Sequence, residues 1–196
     1  MSKIRRYLEE GAIYFVTSIT SKRKPIFKDE KHANLLLATI EYFKYYLEYL
    51  VLGYVVMFDH FHLLIQPSDK HDISKMMQSI KGNFARRYNQ ILYENKDTFS
   101  EKSNCTCNRD LNLGYDEKNI DMEASKHHKY PAVWQQSFYD EMVRDERDFN
   151  NKIEYIHNNP VKAELVENQG DYRFSSYHQY NGVVRNTVQV AIEFLE

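Results

Sequence analysis

Residues 51–66 read VLGYVVMFDHFHLLIQ. Val51 to Met57 is an unbroken apolar run of β-type residues, Phe58-Asp59 interrupts it, and His60 to Gln66 resumes it. Runs of this length and composition read as strands. Two strands joined by so short a link form an antiparallel hairpin, and Pro67-Ser68-Asp69 closes it. Side chains two apart on a strand share a face. His60 and His62 therefore project together, and Phe61 turns toward the packing side.

Elements on either side of the hairpin set the fold class. Ile13 to Thr20 (IYFVTSIT) is β-branched and aromatic, so it reads as a strand. From Glu30 to about Leu50, Leu36, Ile40, Phe43, Leu47 and Leu50 recur at helical steps. Ile73, Met76, Met77, Ile80, Phe84, Tyr88, Ile91 and Leu92 mark a second helix, with their apolar stripe facing a core. Ala132 to Val143 returns to strand-type residues. Asp145 is placed to cap a third helix, with Asp148 in its first turn and Phe149, Ile153 and Ile156 as its buried stripe. That helix is expected to end near Asn159, because Pro160 follows. A tail with Tyr172, Phe174, Tyr177 and Tyr180 is expected to pack back on the body. In the order β-α-β-β-α-β-α, the first six elements predict an α+β, ferredoxin-like split βαβ fold: an antiparallel sheet with helices on one face.

Composition bounds the rest. The 196 residues suit one domain, 1–196. The 37 residues from Glu94 to Tyr130 are mostly polar without a sustained period, and read as a mobile insertion at 94–130. The longest apolar stretch, Tyr49 to Phe58, is 10 residues, against the roughly 18 that a membrane helix needs. Ala12 to Val16 is too short for the core of a signal peptide. Two Cys suit a reducing cytoplasm. Cys105-Thr-Cys107 lacks the spacing of a zinc knuckle. Net charge is only −2, yet residues 1–24 and 70–93 are each locally basic. Lys81, Arg86 and Arg87 lie on that second helix, where they can meet phosphates or simply face water.

Two imidazoles on one strand face are half of a divalent-metal site, or an incidental pair. Tyr155 and Asn159 are four apart, hence neighbours on one helix face beside the apolar stripe. Tyr offers a phenolic oxygen and Asn an amide oxygen. Equally, the ring could pack on the sheet and the amide could cap the helix end.

Gly53 to Ile65 (GYVVMFDHFHLLI) resembles the His-hydrophobic-His signature of the single-tyrosine HUH transposases. Trp134 to Asp140 (WQQSFYD), Arg144-Asp145 and Tyr155 to Val161 (YIHNNPV) resemble their chromosomal branch, the REP-associated tyrosine transposases. Those enzymes are named for the palindromic repeats they accompany. Asp171 to Tyr177 (DYRFSSY) is similar to that branch's tail, and the resemblance spans about residues 5–93 and 131–180.

The resemblance implies a transposase that binds single-stranded DNA folded into palindromic hairpins, cleaving and rejoining it through a covalent 5′-phosphotyrosine. It implies Tyr155 as nucleophile, and His60, His62 and Asn159 as ligands of Mg²⁺ or Mn²⁺. Arg5 and Arg6 would contact the hairpin foot, and the protein would act as a monomer or homodimer. Phe58-Asp59 departs from the family's usual Pro-Asn before the first His, and the 94–130 segment lengthens the link to the next strand. Two other functions fit the same fold: a non-catalytic nucleic-acid-binding module, or a metal-dependent nuclease that uses water.

Overall fold

A computed structural model describes residues 11–97, 130–182 and 189–194. Eight elements matter for the site: β1 (Tyr14–Ile19), α1 (Glu30–Leu47), β2 (Leu50–Val56), β3 (His60–Gln66), α2 (Ile73–Asp97), β4 (Tyr139–Met142), α3 (Glu146–Lys162) and the single turn α4 (Tyr177–Tyr180). The four strands form one antiparallel sheet in the order β2-β3-β1-β4, as the split βαβ reading requires. No helix among the described residues is long and apolar enough to cross a membrane.

The pleat sorts side chains between two layers. Phe61 of β3 packs edge-on against Trp134, which also touches Phe84 of α2 and Phe27. That face, with α1 and α2 packed on each other, holds most of the aromatic core. Trp134 is 9% exposed, and its indole N–H donates to the carbonyl of Lys81 at 3.0 Å. It is a core residue, as its place in a strand-type run suggested.

α3 does not join α1 and α2 on their face. It lies across the opposite face, where Gly53 allows it a close approach to β2. A Cβ at Gly53 would stand 2.7 Å from Cδ1 of Ile153 and 3.7 Å from Cδ1 of Ile156. The missing side chain lets the α3 stripe settle directly on β2. A bulge between Val51 and Gly53 shifts the β2–β3 register there, so that Gly53 pairs with Leu64 and Val55 with His62.

Element ends differ from the sequence reading in four places. α1 stops at Leu47 because Glu48 turns left-handed (φ 54°), freeing Leu50 to start β2. Of the expected strand 132–143, only Tyr139–Met142 pairs along β1; Trp134 makes an isolated bridge to Thr20 and then turns its ring into the core. α3 does not stop before Pro160 but runs through it to Lys162. Proline lacks one helical N–H, yet here it sits in the last turn. The carbonyls of Asn159 and Pro160 still accept the N–H groups of Ala163 and Leu165, both at 3.0 Å. Finally, α2 takes residues 94–97 into helix; residues 98–129, with most of the expected insertion, lie outside the described residues.

The tail packs back as expected. Phe174 and Ser176 bond to the backbone of Val56 and Tyr54, and the hydroxyls of Tyr172 and Tyr180 reach the carbonyls of Val56 and Leu52. Ser176 Oγ accepts the Tyr54 N–H at 3.0 Å and lies 3.0 Å from Nε2 of buried His157 on α3. Burial, with His178 nearby, pushes His157 down to about 4, so the ring is neutral in this contact. Asp145 caps α3 as expected, accepting the Asp148 N–H at 2.8 Å.

Gly53 gives a direct test of this packing. Gly53→Ala meets only the movable end of Ile153 and should cost under about 1 kcal/mol, whereas Gly53→Val overpacks the contact and should cost about 1–3 kcal/mol in urea denaturation.

Candidate active site

β1 and β3 supply the floor of an open cleft of about 670 Å³. Their register sets Ile19 opposite His60 and Thr17 opposite His62, so both imidazoles stand on the face that α3 crosses. α3 supplies the wall with Tyr155, Asn159 and Lys162, each of which lines the cleft. The sequence-predicted set His60, His62, Tyr155 and Asn159 is thus brought together from β3 and α3.

Each histidine has its Nδ1 engaged. His60 Nδ1 lies 2.5 Å from Oδ1 of Asp59, and His62 Nδ1 lies 2.8 Å from the Thr17 hydroxyl. These contacts direct both Nε2 atoms elsewhere, and the rings meet edge to face with centroids 4.9 Å apart. Asn159 Nδ2 stands 3.3 Å from His62 Nε2. The amide therefore reaches the sheet and does not cap the helix.

Asp59 is held in turn by Arg23, whose Nη1 is 3.0 Å from Oδ2. Partial burial raises the Asp59 carboxyl, but the hydrogen bonds from His60 and Arg23 outweigh that, leaving it below its ordinary value. Arg23 and its neighbour Lys22 both have left-handed backbones (φ 51° and 56°). The turn is braced by the Thr20 hydroxyl, 2.8 Å from the Lys24 carbonyl and 2.9 Å from that of Asp59.

Tyr155 is 41% exposed, while the next residue, Ile156, is fully buried. The Tyr155 ring packs edge to face against Phe15 (5.7 Å) and His62 (5.3 Å), and Nζ of Lys162 lies 5.5 Å from its centre. Among the described residues its hydroxyl makes no hydrogen bond. It is thus oriented by its ring while its oxygen faces the cleft.

The donor chemistry suits a divalent cation. Two imidazoles and the Asn159 side-chain amide line one cleft, and the carboxylate behind His60 is the kind of outer partner that metal-bound histidines use. Among the described residues no group of three His, Cys, Asp or Glu is placed to hold a metal ion, so the donors this cleft offers are the two imidazoles and the Asn159 amide.

Of the basic residues read from sequence, Lys81, Arg86 and Arg87 do not line this cleft. Lys81 donates to the carbonyls of Ser137 (2.8 Å) and Gln135 (3.3 Å) and lies over the Trp134 and Phe138 rings. Burial lowers it to about 8. It ties α2 to the segment before β4. Arg86 (exposed) and Arg87 (half-buried) are on α2, in the layer behind the sheet. Arg5 and Arg6 lie outside the described residues, as do Cys105 and Cys107.

Sequence reasoning missed Thr17, Arg23, Tyr139 and Lys162. Lys162 had a signal, since it stands seven residues after Tyr155 and returns to the same helix face. Asp59 stood out only as a departure from the family pattern.

The cleft thus sets a tyrosine on a crossing helix against a histidine pair on an antiparallel sheet. Residues 10–105 match the family of IS200-like transposases. A relative from Haemophilus influenzae, classed with the REP-associated tyrosine transposases, is 26% identical over 179 residues, covering 91% of this chain and 87% of its own. The REP-associated tyrosine transposase of Escherichia coli is 34% identical over 47 residues, 24% of this chain and 28% of its own. A solved REP-associated tyrosine transposase bound to a REP hairpin shares the fold, with a TM-score of 0.65 and 20% identity over 100% of this chain and 95% of that one. Over residues 10–105 the chain is similar to IS200-like transposases, and over most of its length to a REP-associated tyrosine transposase.

The arrangement fixes the protonation of one ring. Burial, with His60 beside it, pushes His62 down to about 3. Its ring should stay neutral from pH 7 to about pH 4 in an NMR titration of the metal-free protein. A ring that takes a proton near pH 6 would contradict the packing described.

Proposed function

We propose that the protein cleaves and rejoins single-stranded DNA at palindromic hairpins, with Tyr155 as the nucleophile. The observation that carries this reading is the convergence of His60, His62, Tyr155 and Asn159 on one open cleft, with the tyrosine oxygen unengaged among the described residues. A packing tyrosine and a capping asparagine would have no reason to meet the histidine pair.

Strand cleavage needs an oxygen aligned with the scissile phosphorus and charge stabilisation around it. In this reading the Tyr155 phenol oxygen bonds to phosphorus as it gives up its proton. The bond from phosphorus to the 3′ oxygen breaks, and that oxygen takes up a proton to become a 3′-OH. The 5′-phosphotyrosine keeps the phosphodiester's energy, so a 3′-OH can reverse the step without ATP. Lys162 places positive charge beside the Tyr155 ring, where a phosphate would sit. Phe15 and His62 hold the ring, which limits the orientations of its oxygen.

His60 and His62, through Nε2, and Asn159, through its amide oxygen, would hold Mg²⁺ or Mn²⁺. Such an ion supplies Lewis-acid stabilisation of the phosphate. Asp59 and Thr17 orient the two rings. All of these groups come from one chain, so one copy contains the whole set.

Tyr155→Phe removes one oxygen and should spare the fold, since no described partner is stranded. On labelled hairpin DNA from the gene's flanks, wild type should form a covalent adduct carrying the 5′-phosphate side of the cut, seen on a denaturing gel. The variant should form no adduct and make no cut, yet still bind. His60→Ala or His62→Ala should likewise lose Mn²⁺-dependent cleavage while keeping hairpin binding, because most DNA charge is met elsewhere. Cutting by Tyr155→Phe without a wild-type adduct would mean that water is the nucleophile. Binding alone, by both proteins, would mean a non-catalytic module.

A further inference from the structure

Three residues form a row across the sheet on the cleft face. His62 on β3 pairs with Thr17 on β1, and Thr17 pairs in turn with Tyr139 on β4. Paired residues share a face, so the Tyr139 side chain stands in the same cleft, where it is one of the lining residues. Two strand spacings separate Tyr139 from His62, about 10 Å between backbones.

Tyr139 is 63% exposed, more than Tyr155. Among the described residues it makes no hydrogen bond and no ring contact. Every other aromatic ring of the cleft is packed: Phe15 stacks on His62, and Tyr155 packs edge-on against both. An aromatic held by a strand backbone, with its ring surface left to solvent, is what single-stranded nucleic-acid sites use to stack a base. Edge strands favour tyrosine for packing reasons alone, but those do not account for its place in line with the histidine pair. Arg23 and Lys162 also line this cleft and offer the charge that would follow a backbone past the ring.

We propose that Tyr139 is a stacking platform for an unpaired base of a single DNA strand threaded through the cleft. It serves as a positioning residue that sets which phosphate lies beside Tyr155. The inference deepens the strand-transfer reading and rests on it for the identity of that phosphate. Its chemistry is a ring on a nucleobase face, so it tolerates any base and needs no tyrosine hydroxyl.

Two probes separate base from backbone: a 12-residue oligo(dT), and a 12-residue oligomer of abasic deoxyribose phosphates. Affinities are measured by fluorescence anisotropy at one salt concentration. Tyr139→Ala should weaken oligo(dT) binding about fivefold to a hundredfold and leave the abasic oligomer unchanged. Tyr139→Phe and Tyr139→Trp should match wild type on both. Lys162→Ala serves as the contrast, since a lost phosphate contact weakens both oligomers and flattens the salt dependence by about 0.7 in log-log slope. Equal loss on both oligomers with Tyr139→Ala would overturn the proposal, as would no loss on either or failure of wild type to prefer oligo(dT). The adduct gel keeps the two readings apart. A wild-type adduct with unchanged Tyr139→Ala affinities sinks only the stacking platform. Base-selective loss without any adduct sinks the strand-transfer reading and leaves a base-stacking groove.

Discussion

The pairing of β1 with β3 is the constraint on which the cleft depends. Thr17 opposite His62 and Ile19 opposite His60 turn both imidazoles toward α3. A slip of one residue would send them into the Trp134 and Phe84 layer and bring Phe61 to the cleft. The slip is opposed on both sides of the sheet. Phe61 is fully buried among aromatic rings, and Leu64 sits under the α3 stripe opposite Gly53. The register is therefore set by burial, and the polar groups inherit their places from it.

On that frame the cleft is organised by hydrogen bonds one step removed from its chemistry. The Asp59 carboxylate and the Thr17 hydroxyl each take the Nδ1 of one histidine. Asp59 in turn belongs to a braced turn that includes Arg23 and the Thr20 hydroxyl. The left-handed backbones at Lys22 and Arg23 are the cost of that turn. On the other wall, Gly53 and the buried contact of His157 with Ser176 fix α3 against β2, and so fix where Tyr155 and Asn159 stand.

Much of this was legible in the sequence, for definite reasons. The hairpin at 51–66 shows in its unbroken apolar character, and the shared face of His60 and His62 follows from the strand period. Tyr155 beside Ile153 and Ile156 follows from helical spacing. What was not legible is what depends on contacts distant in sequence. Thr17 is an ordinary strand residue until its partner across the sheet is known. Lys81 reads as a surface cation, and only the return of the 134–138 segment onto α2 shows that it is engaged. Pro160 reads as a helix stop because local rules forbid its N–H bond, not because the turn after it lacks other bonds. A glycine in a strand likewise gives no sign of which helix its bare surface will receive.

The tail has a consequence for how copies of the chain can meet. β2 lies at one end of the sheet order, and its outer side is covered from within the chain. Phe174 and Ser176 bond to it near Val56 and Tyr54, and Glu193 bonds to Val51. Lys44, itself buried, pairs with Glu193 and secures that last contact. An uncovered strand margin is a template on which another chain can add a strand. Here that margin is sealed, and the opposite one, β4, offers only four residues. Continuous growth of the sheet from molecule to molecule is thereby blocked at β2 and restricted to four residues at β4.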